Sequence, residues 1–134
     1  MKKVFIDDIR YPENLFYGGA GKEWTLDPLF ENNTEWAIVR SYDEFVEFIE
    51  QNGPIDLVSF DHDLHYEAYL PENQEGEIDY DAMEVKTGYH AAEWLIQYCK
   101  ENNVEFPEYR VHSMNPKGRR NIEQVIMKFK NQQL

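Results

Sequence analysis

Cysteine is almost missing from this chain. Cys99 stands alone, which excludes an internal disulfide and leaves it the role of a small core hydrophobe on a helix. Basic residues are scarce as well: 13 Lys and Arg face 26 Asp and Glu, a formal net charge of −13. Such a surface repels duplex DNA and anionic membranes and offers no basic tract to neutralise many phosphates. It leaves open a small phosphate ester held by a few local cations. No apolar run approaches the roughly 20 residues of a membrane helix. The basic start Met1-Lys2-Lys3 leads only into Val4-Phe5-Ile6 before Asp7, so no signal peptide is read there and a cytoplasmic location is expected. Internal repeats and low-complexity segments are absent too.

What is present suits a folded protein. Over 134 residues, 42% are hydrophobic and 15% aromatic, enough for a core in one domain spanning 1–134. Residues 3–6 read as a buried strand ending on an acidic pair. Residues 11–35, with Gly18-Gly19, Gly21, two prolines and Asn32-Asn33, read as an irregular excursion with room for one short helix. Trp36-Ala37-Ile38-Val39-Arg40 is a second strand. Ser41 caps a helix with Phe45, Phe48 and Ile49 at helical spacing; Glu44 completes a capping box, and Gly53-Pro54 stops it. A strand over 55–60 follows. The stretch 65–86 carries seven Asp or Glu against one Lys and reads as a mobile surface loop, solvated or partner-binding. Thr87 starts a helix to Asn102 with Ala91, Ala92, Trp94, Leu95 and Tyr98 on its buried stripe. Strand 109–112 comes next, and Pro116 opens a last helix with Ile122, Val125, Ile126 and Phe129 facing inward. This alternation predicts an α/β fold, a flavodoxin-like three-layer sandwich. Its central sheet is mostly parallel with strand order 2-1-3-4, and the excursion replaces the first helix.

The chemistry gathers where the strands give out: Asp7-Asp8, Asp61-His62-Asp63 and His112-Ser113 with Asn115-Pro116. Ligands in such sheets bind outside the carboxyl ends of the strands. Asp7, Asp8 and Asp61 suit Mg²⁺ or Mn²⁺, which take oxygen ligands; the alternative is that one of the pair caps the turn or pairs with Arg10. His62 and His112 suit an acid/base pair, since imidazole titrates near neutrality, and Asp63 would orient His62. Ser113, Asn115, Lys117 and the amides after Pro116 make a candidate anion pocket, with Arg10 and Arg40 as further charge stabilisers. His65 and His90 are given no role.

An acidic pair after strand 1, an aspartate after strand 3 and a hydroxyl after strand 4 resemble the receiver domains of response regulators. That likeness would put Asp61 at the phosphoacceptor position, Asp7 and Asp8 at the Mg²⁺ pair, and Ser113 at the switch hydroxyl. A fifth strand with its lysine does not follow, and His62 and His112 are foreign to the ordinary receiver pattern.

The chain more closely resembles the cyclic-phosphate processing receiver domain family. The resemblance rests on Phe5-Ile6-Asp7-Asp8-Ile9-Arg10 with Pro12, Val39-Arg40-Ser41-Tyr42-Asp43-Glu44 and Ser59-Phe60-Asp61-His62-Asp63-Leu64. It extends to Thr87-Gly88-Tyr89 before Trp94-Leu95, and to His112-Ser113-Met114-Asn115-Pro116-Lys117-Gly118. It implies RNA repair or processing at terminal or 2′,3′-cyclic phosphates, with His62 and His112 catalytic. The expected partner is thus a small phosphate ester or an RNA terminus; a protein partner is left open. Two other readings remain at this point: a stand-alone signalling module phosphorylated on Asp61, and a catalytically inactive protein that binds a nucleotide or a partner.

Overall fold

Strands of only four residues rely on what lies above and below them, and among the described residues the two sheet faces are covered very unequally. A computed structural model of the chain describes residues 1–17, 27–64 and 70–132. The Gly18-Gly19 and Gly21 part of the expected excursion, and His65 with the start of the acidic stretch, lie outside the described residues. The elements run β1 (Lys3–Ile6), α1 (Pro12–Tyr17), β2 (Trp36–Val39), α2 (Tyr42–Asn52), β3 (Leu57–Phe60), α3 (Gly88–Asn102), β4 (Glu108–Val111) and α4 (Pro116–Gln132), with 3-10 turns at Pro28–Phe30 and Tyr80–Ala82. The strands form one parallel sheet in the order β2-β1-β3-β4, the predicted receiver-like arrangement. Among the described residues no helix is long and apolar enough to cross a membrane.

Side chains alternate across a strand, and the two cores follow that parity. Val4, Ile6, Val58, Phe60 and Val111 meet α2, α3 and α4 through Phe45, Ile49, Leu95, Ile122 and Ile126. On the other face, Phe5, Trp36 and Leu57 pack under Leu15 of α1 and Phe30 of the first 3-10 turn. The expected excursion thus holds a six-residue helix and a turn.

Local signals act much as the sequence predicts. Ser41 Oγ accepts the Glu44 N–H at 3.1 Å, but Glu44 reaches one residue further back than a capping box requires and takes the Arg40 N–H. Gly53, with φ at +80°, closes α2 in a conformation that side-chain-bearing residues avoid. The α3 stripe is centred on Ala91, Ala92, Leu95, Ile96 and Cys99, with Trp94 and Tyr98 only partly buried at its flank. The acidic stretch is not all loop: Glu72 and Ile78 form an antiparallel bridge, and the 3-10 turn at Tyr80 precedes α3.

The parallel register extends one residue past the strands. The N–H groups of Asp7, Asp61 and His112 donate to the carbonyls of Val39, Ile6 and Phe60, so these three side chains stand in one row on one face. The first turn of α3 presses on the same edge: Gly88 donates to the His62 carbonyl at 2.8 Å, and a Cβ on Gly88 would lie 1.6 Å from the Asp61 carbonyl oxygen. Both groups are backbone and neither can yield cheaply. Gly88→Ala is therefore expected to cost about 3 kcal/mol or more, read as a fall in the urea midpoint. An unchanged midpoint would mean that α3 does not approach β3 this closely.

Candidate active site

Asp7 is fully buried, and its carboxylate is filled from within. Oδ1 accepts the N–H groups of Ile9 at 3.0 Å and Arg10 at 2.8 Å; Oδ2 accepts Arg10 Nε at 2.8 Å and His112 Nε2 at 3.1 Å. Burial alone would raise its pKa, yet these donors, His112 foremost, hold it well below the usual carboxylate range. His112 lies flat on Phe5, ring centroids 4.4 Å apart. Its Nδ1 meets Ser59 Oγ at 2.6 Å. Burial depresses the His112 pKa against the pull of Asp7, which favours the neutral ring with Nε2–H donating to Asp7 and Nδ1 accepting from the Ser59 hydroxyl.

Asp61 stands next in the row and behaves oppositely. Burial, reinforced by the Asp7 charge, pushes its pKa up to about 8, against the opposing effects of Arg10 and the His62 N–H. The Arg10 guanidinium lies between the two carboxyls, with NH2 3.4 Å from Asp61 Oδ1. Asp7, Asp61 and His112 bring one donor atom each within 4.8 Å of one another, but the cation seated among them is Arg10. The lone pairs of Asp7 and both nitrogens of His112 are engaged. Asp8, the next residue along, lines the neighbouring cleft and is not one of that group. The expected set Asp7, Asp8 and Asp61 therefore does not fit a directly coordinated Mg²⁺ or Mn²⁺ in this arrangement.

His62 takes the opposite parity and points to the three-helix face. It is fully buried, and the first turn of α4 sits on its ring: a Cβ on Gly118 would lie 2.3 Å from His62 Cγ. Nδ1 meets Asp63 Oδ1 at 2.5 Å and Nε2 meets the Tyr80 hydroxyl at 2.8 Å. Asp63 also accepts from Asn115 Nδ2 at 3.4 Å. The bond from His62 outweighs burial and lowers the Asp63 pKa. The two histidines thus do not face each other across a substrate. Each is enclosed and lies behind a different aspartate.

A cleft of about 440 Å³ is lined by Asp8, Arg10, Asp61, Asp63, Ser113 and Asn115, of which Asp61 and Ser113 are buried, with Ile9 and Met114 exposed at its lips. Ser113 Oγ accepts the Asn115 N–H, and Asn115 Oδ1 accepts the Gly118 N–H, so that amide of the expected anion pocket is already taken. Two cations assigned to phosphate lie elsewhere. Lys117 Nζ donates to the Gly76 carbonyl and pairs with Glu72 at 3.7 Å. Arg40 NH1 holds the carbonyls of Asp7 and Arg10 at 3.2 and 2.6 Å while its guanidinium covers Tyr11. Long side chains take the nearest acceptor, and here those belong to the acidic loop and the β1–α1 turn. His90 is structural, its Nδ1 accepting the Thr87 N–H at the start of α3. Ser59, Tyr80 and Asn121 escaped the sequence reading; parity pairs Ser59 with the row containing His112, but nothing local marks the other two.

The sequence profile of the cyclic-phosphate processing receiver domain matches residues 2–128. No curated protein and no solved structure shows significant similarity to the chain.

The Asp61 shift has a measurable consequence. Unfolded, Asp61 loses its proton near 3.8; folded, near 8. Between these values the folded chain holds the extra proton, so Asp61 makes stability fall as pH rises across that window. Asp61→Asn removes the slope. It is expected to raise stability progressively across that window, by several kcal/mol above about pH 8, and to change it little below about pH 4. Thermal unfolding across pH checks this; a loss of stability, or a gain independent of pH, would contradict the burial described.

Proposed function

The chain belongs to the cyclic-phosphate processing receiver domain family, and from that premise we propose that it is a phosphoesterase that opens or removes a cyclic or terminal phosphate on a nucleotide or RNA end. One observation carries this reading: Asp61 and Asp63 line the same cleft beside Arg10 with their pKa values displaced in opposite directions. A site whose two carboxyls are driven apart in this way has an acid and a base at one pH.

For a 2′,3′-cyclic phosphate the roles follow. Arg10 and the Ser113 hydroxyl hold the non-bridging oxygens, and Asn115 shapes the wall. Ionised Asp63 takes a proton from the attacking water, whose oxygen bonds to phosphorus. The bond from phosphorus to one ribose oxygen breaks, and protonated Asp61 gives that oxygen its proton. Exchange with solvent resets both carboxyls. The histidines act at one remove. His62 donates to Asp63, and His112 supports Asp7, which orients Arg10. The net charge of −13 favours a short substrate over a long polyanion.

Hydrolysis of 2′,3′-cyclic nucleotides and of a cyclic-phosphate-ended RNA, with Mg²⁺, Mn²⁺ or chelator, tests the scheme. Asp61→Asn and Asp63→Asn are each expected to lower kcat by about 10²- to 10⁴-fold, the usual contribution of a positioned acid or base. Turnover is expected to persist in chelator. Activity lost with chelator and restored by Mn²⁺ would return a metal to the site. Absence of turnover on every substrate, with stable Asp61-dependent labelling by an acyl-phosphate donor, would favour a signalling module.

A further inference from the structure

The described part of the acidic stretch, residues 70–86, sends Tyr80 against His62. Tyr80 is well held. Its ring stacks on Tyr89 with centroids 4.0 Å apart, and His90 lies edge-on at 5.5 Å. Since His90 Nδ1 accepts the Thr87 N–H, its Nε2–H donates to the Tyr80 carbonyl at 3.1 Å. These contacts fix the hydroxyl. Asn121 Nδ2 donates to it at 3.0 Å, which leaves its own proton directed to His62 Nε2 at 2.8 Å. Burial pushes the Tyr80 pKa up to about 12, so the phenol keeps that proton.

Direction then propagates. A ring that accepts at Nε2 carries its proton on Nδ1, facing Asp63 Oδ1 at 2.5 Å. Asn121, Tyr80 and His62 all donate toward one carboxylate. The other pattern, Nε2–H donating to the phenol, would leave the tyrosine proton competing for the same space. Asn115 also binds Oδ1, and among the described residues no protein donor meets Oδ2.

We propose that Tyr80 is a positioning residue: through His62 it fixes the tautomer that holds Asp63 by Oδ1 and turns Oδ2 to the cleft, which makes the 3-10 turn at Tyr80 part of the site. The proposal rests on the reading of Asp63 as the base, but its structural half can be tested without turnover. Nitrogen NMR of protein labelled in histidine distinguishes the two neutral tautomers and the imidazolium. In the wild type, His62 is expected as the neutral Nδ1–H form. In Tyr80→Phe, which keeps the stacking on Tyr89, that signature is expected to give way to a mixture. The same variant is expected to lower kcat on a 2′,3′-cyclic nucleotide by about 10- to 100-fold with KM within about twofold, the pattern of a misplaced reacting group. Asn121→Ala, at a half-buried position, should act in the same direction more weakly and serves if Tyr80→Phe does not fold.

A wild-type ring with its proton on Nε2, or an unchanged His62 signature in both variants, would overturn the relay. An altered signature with kcat unchanged would overturn the positioning role. If the signature behaves as expected but the wild type turns over no substrate, the relay stands and the phosphoesterase reading falls.

Discussion

Taking a carboxylate out of water costs several kcal/mol unless its oxygens are met by donors, and the carboxyl edge of this sheet is arranged around meeting that need at Asp7. Two backbone N–H groups fold the turn after β1 onto Oδ1; a guanidinium and an imidazole close on Oδ2. Each donor is thereby placed for something else. Arg10 reaches Asp61, His112 settles on Phe5, and Arg40 clamps the same turn through its carbonyls. Because the Asp7 charge is retained, it disfavours a second charge on Asp61 a few ångströms away, which keeps that neighbour's proton in place. The contrast between Asp61 and Asp63 begins there.

Strand parity divides the remaining parts. The row Asp7, Asp61, His112 belongs to the thinly covered face, whereas His62 belongs to the face under α3 and α4. Two glycines make that division possible, Gly88 against the Asp61 carbonyl and Gly118 against the His62 ring. The helices come close enough to enclose His62 fully while leaving Asp63, whose side chain is 43% exposed, at the surface. Enclosure suits a group that passes on orientation rather than one that meets substrate.

Much of the fold was legible because its signals are local. Apolar runs ending in acids, Ser41 and Thr87 as caps, and the alternation of elements led to the strand order. The convergence at the carboxyl edge was legible for the same reason: it follows from where strands stop. What parity does after a strand stops was harder to see. Asp61 and His62 are adjacent in sequence yet serve opposite faces, so the expected pairing of His62 with His112 across one substrate is not what the backbone allows. Long cations were misassigned because Lys117 and Arg40 find acceptors that only tertiary structure brings near. Tyr80 was invisible for a related reason: it sits among acids that read as solvated loop, 18 residues from the ring it meets.

The unequal coverage of the sheet bears on how the molecule breathes. Among the described residues, the Phe5 side is roofed by a six-residue helix and a single 3-10 turn, too short to persist alone in water. Native proteins open in cooperative units whose free energies follow local packing. Among the described residues, the thinner and the thicker cover meet at the sheet itself. Among the described residues, the shorter cover on the Phe5 side is expected to open more readily than the three-helix side, with faster hydrogen exchange in α1 than around His62. The two aspartates of the cleft would then differ in a second respect: among the described residues, Asp61 shares its face with the thinner cover, and Asp63 follows a ring packed under the thicker one.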